Sequence, residues 1–190
     1  MKWENLIDIL LQDKPSEIIR LNEDEIFKII PELIKCKNFE QNSVWHIYDV
    51  YEHILHVIDN VPNYLILRLS ALFHDIGKPL VYIKDESGRG HFYGHWHRSK
   101  EIFEKYAEKY NLDNDLKSKV SNLILYHDLN FSNCTNEEID DLLNIFDDTG
   151  IEMLFKLKRS DLLAQSEEFH YMLKIIEEQK LDILKRKKAL

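Results

Sequence analysis

Residues 71–79 read ALFHDIGKP and close a run, NYLILRLSALF (63–73), that is apolar on nearly every face. A helix that is apolar all round is buried rather than laid on a surface, so His74 and Asp75 leave water with the helix that carries them. Buried ionisable groups are costly unless they are paired or bound to a metal. Gly77 and Pro79 read as the stop, since Gly commonly stands just past a helix and Pro shortly after it. The end of this helix therefore has to satisfy two side chains of metal-ligand type.

Outward from that point, the chain reads as all-α. Its 190 residues hold five Gly and four Pro, few for a turn-rich β fold. The abundant Leu, Ile, Glu and Lys favour helices. Apolar spacing predicts helices over 3–12, two or three short ones in 16–36 (Ile26, Ile29, Ile30, Leu33, Ile34), and others at 49–60, 63–76, 95–110, 115–129, 136–147, 150–165 and 167–187. Pro15 and Pro31 begin or interrupt the early ones. Asp113 or Asn114, and Thr135 or Asn136, are the candidate N-caps. The segment VYIKDESGRGHFYG (81–94) combines turn residues with alternating aromatics and reads as a small hairpin or a structured loop. The expected layout is an N-terminal helical extension over 1–40 packed on a domain over 41–190.

Composition excludes several classes. Lys and Arg number 25 against 34 Asp and Glu, a formal charge of −9, which disfavours a broad nucleic-acid surface. The basic end LKRKKAL (184–190) reads as a solvated helix terminus favoured by the helix dipole. Cys36 and Cys134 form no CxxC and suit two reduced thiols. The opening MKWENLIDILLQDK has acidic residues inside its apolar run and is no signal peptide. No stretch approaches the ~20 apolar residues that span a bilayer. A soluble, cytoplasmic protein without a membrane partner is expected.

The nine histidines are informative by position. His53 lies inside DVYEHILHVIDNV (49–61), His74 and Asp75 close the buried helix, and His95 follows a Gly at a helix start. His127 falls in VSNLILYHDL (120–129) and Asp161 in LFKLKRSDLLAQ (154–165). These six side chains come from five segments and converge only if the helices pack around a common centre, as bundles do when they build metal sites. Imidazole with carboxylate, and no thiolate, suits iron, manganese, cobalt, nickel or zinc. Taken singly, a His on an apolar face is more often a core residue bonded to a carbonyl, and that reading holds for His56, His97 and His170, or else simple exposure. A lone helical Asp such as Asp161 is more often solvated.

The order His…His-Asp…Asp around HDIGK resembles the HD superfamily of metal-dependent phosphohydrolases. More closely, PELIKCKNFEQNSVWHIYDVYEHILHVIDNVP (31–62), LRLSALFHDIGKP (67–79), GRGHFYGHWHRSKEI (88–102) and RSDLLAQ (159–165) are similar to the HD-bearing C-terminal half of bacterial tRNA nucleotidyltransferases. LIDILLQDKPSEIIRLNEDEIFKIIPEL (6–33) looks like the helical segment before that domain. The nucleotidyltransferase head, with its Gly-Ser and paired aspartates, has no counterpart in these residues, so CCA addition is not implied. The resemblance implies an HD-domain helical bundle in which His53, His74, Asp75 and Asp161 bind metal. His95, four residues before the small Ser99, and His127 match the extra ligands of a two-metal branch, or else touch substrate. One or two divalent ions (Fe, Mn, Co, Ni, Zn or Mg) are expected.

The activity implied is hydrolysis of a phosphomonoester or a cyclic phosphodiester by a hydroxide held on the ion. Asp75 would orient the nucleophile, and Lys78 would neutralise charge on the phosphoryl oxygens or simply complement a helix end. Arg89, His91, Tyr93, His97 and Arg98 cluster near His95; of these His91, Tyr93 and Arg98, with Lys78, are the candidate substrate contacts, offering a bidentate guanidinium and stacking faces. His46 and Asp49 read as supporting groups or a helix cap. Three readings compete. The first is a nucleotide-directed 2′,3′-cyclic phosphodiesterase and phosphatase, or a 5′-nucleotidase. The second is a dinucleoside polyphosphate hydrolase. The third is a non-catalytic, metal-stabilised module binding tRNA or a separate nucleotidyltransferase.

Overall fold

The computed structural model describes residues 1–189. The helices are α1 (Trp3–Leu10), α2 (Pro15–Leu21), α3 (Glu23–Ile29), α4 (Glu32–Cys36), α5 (Val50–Asn60), α6 (Leu65–Phe73), α7 (Lys78–Val81), α8 (His95–Lys109), α9 (Asn114–Tyr126), α10 (Asn136–Ile145), α11 (Asp148–Leu163) and α12 (Met172–Ala189). A two-stranded antiparallel hairpin, β1 (Ile83–Lys84) with β2 (Gly90–His91), lies between α7 and α8, pairing Ile83 with His91 and Lys84 with Gly90. The fold is an all-α bundle with one small hairpin. Among the described residues no helix is long and apolar enough to cross a membrane.

The helix α6 is the axis of the molecule, as its all-round apolar sequence requires. Every residue from Leu67 to Phe73 is buried, and α1, α5, α8, α9 and α11 pack around it. Phe73 meets Phe103 of α8 edge-on, with ring centroids 5.4 Å apart. The N-terminal helices share this core through Leu6, Leu10, Ile19, Ile26, Ile30 and Leu33. They are also tied to α5 by polar contacts: Ser16 donates its N–H and hydroxyl to Asp59, and Arg20 pairs with Glu52 at 2.6 Å. Ile34, counted on the apolar stripe, is instead 54% exposed. Pro31 breaks the chain before α4, and the new five-residue helix turns Leu33 and Cys36 inward, so the stripe of α3 does not continue through it.

Asp113 caps α9 by accepting from Asp115 and Leu116 N–H groups. Thr135 forms a reciprocal capping box with Glu138 at the start of α10. Both cysteines are free. At the basic end, Arg186 bonds Asp140 and Asn136, and Lys187 donates to the Leu143 carbonyl, so these cations hold α12 against α10. Just ahead of α12 in the chain, Phe169 stacks on the Trp45 ring with centroids 3.7 Å apart, and the Trp45 carbonyl accepts the Ser166 N–H at 2.9 Å.

Gly77 departs from its expected role. Its φ of −82° and ψ of −12° are right-handed, so it is not a left-handed helix stop. The chain continues through tight turns at 74–77 into α7, with Pro79 in the first turn of that helix. What requires glycine is proximity: a Cβ there would lie 2.6 Å from the Ser99 nitrogen and 2.7 Å from the His95 carbonyl oxygen. The Gly77 N–H donates to the Ser99 hydroxyl at 3.0 Å. This contact seats the turn bearing Asp75 against the first turn of α8, which begins with His95.

Candidate metal centre

The six residues singled out in the sequence arrive from five directions. His53 is in the middle of α5, His74 and Asp75 follow the last turn of α6, His95 opens α8, His127 ends α9, and Asp161 lies near the end of α11. All but Asp161 are buried, and Asp161 is half-buried. Asp75 is central. Its Oδ2 is 3.4 Å from His53 Nε2 and 3.3 Å from His74 Nε2, while its Oδ1 is 3.1 Å from His95 Nε2 and 3.6 Å from His127 Nε2. Two clusters able to hold an ion thus share one carboxylate: His53, His74 and Asp75, and Asp75, His95 and His127. Asp161 Oδ1 joins the first cluster at 2.9 Å from His53 Nε2.

The tautomers follow from the backbone. Nδ1 of His53, His74, His95 and His127 faces the carbonyl oxygens of Ala164, Ala71, Phe92 and Ile124, at 3.3, 2.8, 2.9 and 2.7 Å. A carbonyl only accepts, so each Nδ1 carries a proton, and a ring in its neutral form has its lone pair at Nε2. Those Nε2 atoms face one another in pairs, His53 with His74 at 3.3 Å and His95 with His127 at 3.2 Å. Lone pairs so placed, around a buried carboxylate oxygen of Asp75 that has no hydrogen-bond partner, call for a cation. Bonds of about 2.0–2.1 Å to imidazole nitrogen place two such nitrogens roughly 3.0–3.4 Å apart on one ion. The donor set and its spacing therefore fit divalent metal.

Neighbouring charges hold the carboxylates ionised. Burial pushes the Asp75 carboxyl up, but the charges of His74 and Lys78 outweigh it and keep it well below the usual range. Asp161 is likewise lowered, the His53 hydrogen bond overcoming burial. Burial pulls His74 down, yet Asp75 leaves it raised overall, while in His127 burial prevails and lowers it.

Lys78 is buried, with Nζ 2.6 Å from Asp75 Oδ2 and donating to Gln41 Oε1 at 2.8 Å. Its ammonium therefore grips the central carboxylate first and reaches the cavity second. Gln41 carried no local signal in the sequence, because it comes from an irregular segment brought near only by the fold. His46 stands beside this lysine, 3.5 Å away, with its ring edge-on to His53; burial and the charges of Lys78 and His53 hold it down at about 2, so it stays neutral. Asp49 is the N-cap of α5. Gln165, also unforeseen, donates to Asp161 Oδ1 at 3.2 Å.

A polar cavity of about 210 Å³ opens over the centre, lined by Lys78, Arg89, His91, Tyr93 and Asp128 among others. The hairpin forms one wall. Asp85 accepts a hydrogen bond from His91 Nε2 at 2.7 Å, and the Tyr93 hydroxyl lies 3.2 Å from His91 Nδ1. Arg98 does not join this wall: it is exposed on α8 and paired with Glu101 at 2.8 Å. His97 is exposed as well.

No curated protein matches the chain. The model of the HD domain does match, over residues 44–168, a span that contains every potential ligand described above. With two thirds of its length and its buried His–Asp centre inside that match, the chain belongs to the HD domain family, in general one of metal-dependent phosphohydrolases.

Proposed function

We propose that the protein hydrolyses a nucleotide phosphoester, either a 2′,3′-cyclic phosphodiester or a phosphomonoester. The observation that carries the proposal is the pairing of four Nε2 atoms across the two oxygens of Asp75. His53, His74, Asp75 and Asp161 would hold a first ion, and Asp75, His95 and His127 a second. Bound divalent ions supply Lewis acidity toward a phosphoryl oxygen and lower the pKa of water.

The chain's own groups do the rest. The four carbonyls fix the imidazole rings in the tautomer that binds metal. Lys78 and Gln41 hold Asp75 ionised and aimed. Arg89, on the cavity wall, offers a guanidinium suited to a phosphoryl group. The reaction exchanges the ester bond to phosphorus for one from water's oxygen, and a water proton ends on the departing oxygen.

The test is metal analysis followed by turnover on 2′,3′-cyclic AMP, AMP, diadenosine tetraphosphate and p-nitrophenyl phosphate. Hydrolysis of the first two is expected, with loss of turnover in a folded His74→Ala variant. Preference for diadenosine tetraphosphate would favour the polyphosphate reading, which the second histidine pair also suits. A metal-loaded protein that cleaves none of the four overturns the enzyme reading.

A further inference from the structure

A second cleft, of about 430 Å³, runs from the metal centre between α11, the 127–132 loop and α12. His127 and Asp161 belong to its inner end and also to the polar cavity, so the two spaces meet at the centre. Its outer walls differ in kind. Leu162, Met172, Ile175 and Ile176 supply apolar surface, and Ile175 is exposed at 38% although it lies on a helix face turned toward the domain. The amides of Asn130 and Gln179 stand among them. Gln179 Nε2 donates to the Ser132 hydroxyl at 3.0 Å, which leaves its amide oxygen for another partner.

The cleft's lysine, Lys158, gives N–H groups to the carbonyls of His127 and Leu129, at 2.7 and 2.8 Å. Its charge is thus committed to pinning the end of α9, and Asp128 and Asp161 add negative charge nearby. A phosphate would be poorly received here. An uncharged, flat group with donors and acceptors along its edge would be well received, since apolar walls cover its faces and amides meet its rim.

We propose that this cleft is the leaving-group subsite and takes the nucleoside portion of the substrate, the phosphoryl group lying in the polar cavity toward Lys78 and Arg89. The proposal rests on the phosphohydrolase reading for its name as a leaving-group site, but binding of the nucleoside is testable without turnover. Among the described residues that line the cleft, Lys158 is the only lysine or arginine, and it is committed to two carbonyls, so a second phosphate would find no free cation there.

The experiment is saturation-transfer NMR of the protein as purified with millimolar adenosine, which carries base and sugar without phosphate and so is not turned over. Wild type should transfer saturation to the adenosine protons. Ile175→Trp, which fills the cleft, should reduce the transfer at least fivefold, and Gln179→Ala two- to threefold. Leu21→Trp, on a distant surface at 85% exposure, should match wild type. Circular dichroism establishes that each variant is folded, and Gln179→Ala decides the matter should Ile175→Trp fail to fold. No transfer to wild type, or transfer indifferent to both cleft substitutions, overturns the proposal. Turnover without adenosine transfer would sink the cleft and spare the enzyme; transfer without turnover on any phosphoester would do the reverse.

Discussion

At the scale of the residue, Asp75 carries the greatest consequence, because its two oxygens face two different histidine pairs. Asp75→Asn should therefore empty both positions, whereas His127→Ala should halve the metal content and leave the His53–His74 position filled. Metal analysis per chain decides between these outcomes; equal loss in both variants would mean that the two positions are not separable. Gln41→Leu should leave Lys78 with a partner missing, loosen its hold on Asp75, and cost about 10–100-fold in metal affinity, as loss of groups supporting ligands does. His53, His74, Asp75 and His127 were legible as polar residues within apolar runs, while His95 and Asp161 entered the set through the resemblance to the HD superfamily, since a helix-start His and a helical Asp are ordinary by themselves. Gln41, Gln165 and Lys158 were not legible, since an amide or a lysine in polar surroundings looks the same in sequence whether or not the fold later turns it toward a ligand. Arg98 shows the opposite error: nearness to His95 along the chain did not bring it into the cavity, because α8 buries His95, Ser99, Ile102 and Phe103 and leaves Arg98 outside that stripe.

At the scale of the element, the sequence located the helices well and misjudged their junctions. Periodicity reports which face is buried, and that is enough to find α5, α6, α8, α9 and α11. It does not report how closely two backbones approach, which is what governs the 74–79 turn. Gly77→Ala should destabilise the protein by about 1–3 kcal/mol, the usual cost of overpacking, because the atoms it would strike are backbone atoms of α8. It should also weaken the His95–His127 position more than the other, as read by metal titration. A change in stability with both positions intact would separate the junction from the centre. The capping box of α10 gives a milder test: Thr135→Ala should cost about 0.5–2 kcal/mol in urea denaturation with metal content unchanged.

At the scale of the whole molecule, an ion held by these clusters would be coupled to folding, since they join α5, α6, α8, α9 and α11. Each ion at a hundredfold excess over its dissociation constant should add about 2.7 kcal/mol of stability. Chelation should lower the thermal midpoint in wild type and leave Asp75→Asn unmoved. Acid should act through a separate clasp. Glu32 accepts from the Tyr106 hydroxyl and lies near Lys105, and these outweigh burial to lower its carboxyl below the ordinary value. A depressed carboxyl contributes stability in full above its unfolded value, about 4.3, and loses it as the pH falls through the folded value. Glu32→Gln should accordingly be less stable than wild type at neutral pH and approach it below pH 4, measured by denaturation across that range. The fold class was legible at this scale, and the ties between the N-terminal helices and α8 were not, because the Glu32–Tyr106 hydrogen bond and the Trp3–Tyr106 stack join residues far apart in the chain.

The Trp45–Phe169 stack has a consequence of its own. Trp45 and Phe169 stand near the two limits of the segment that matches the HD domain, so the stack works as a buckle that brings the start and finish of that segment together. Trp45 is also a doorpost of the cleft beside the metal centre. Lengthening or rearranging either flank would pull on the doorway, and would change which molecules gain entry while every potential metal ligand stayed where it was.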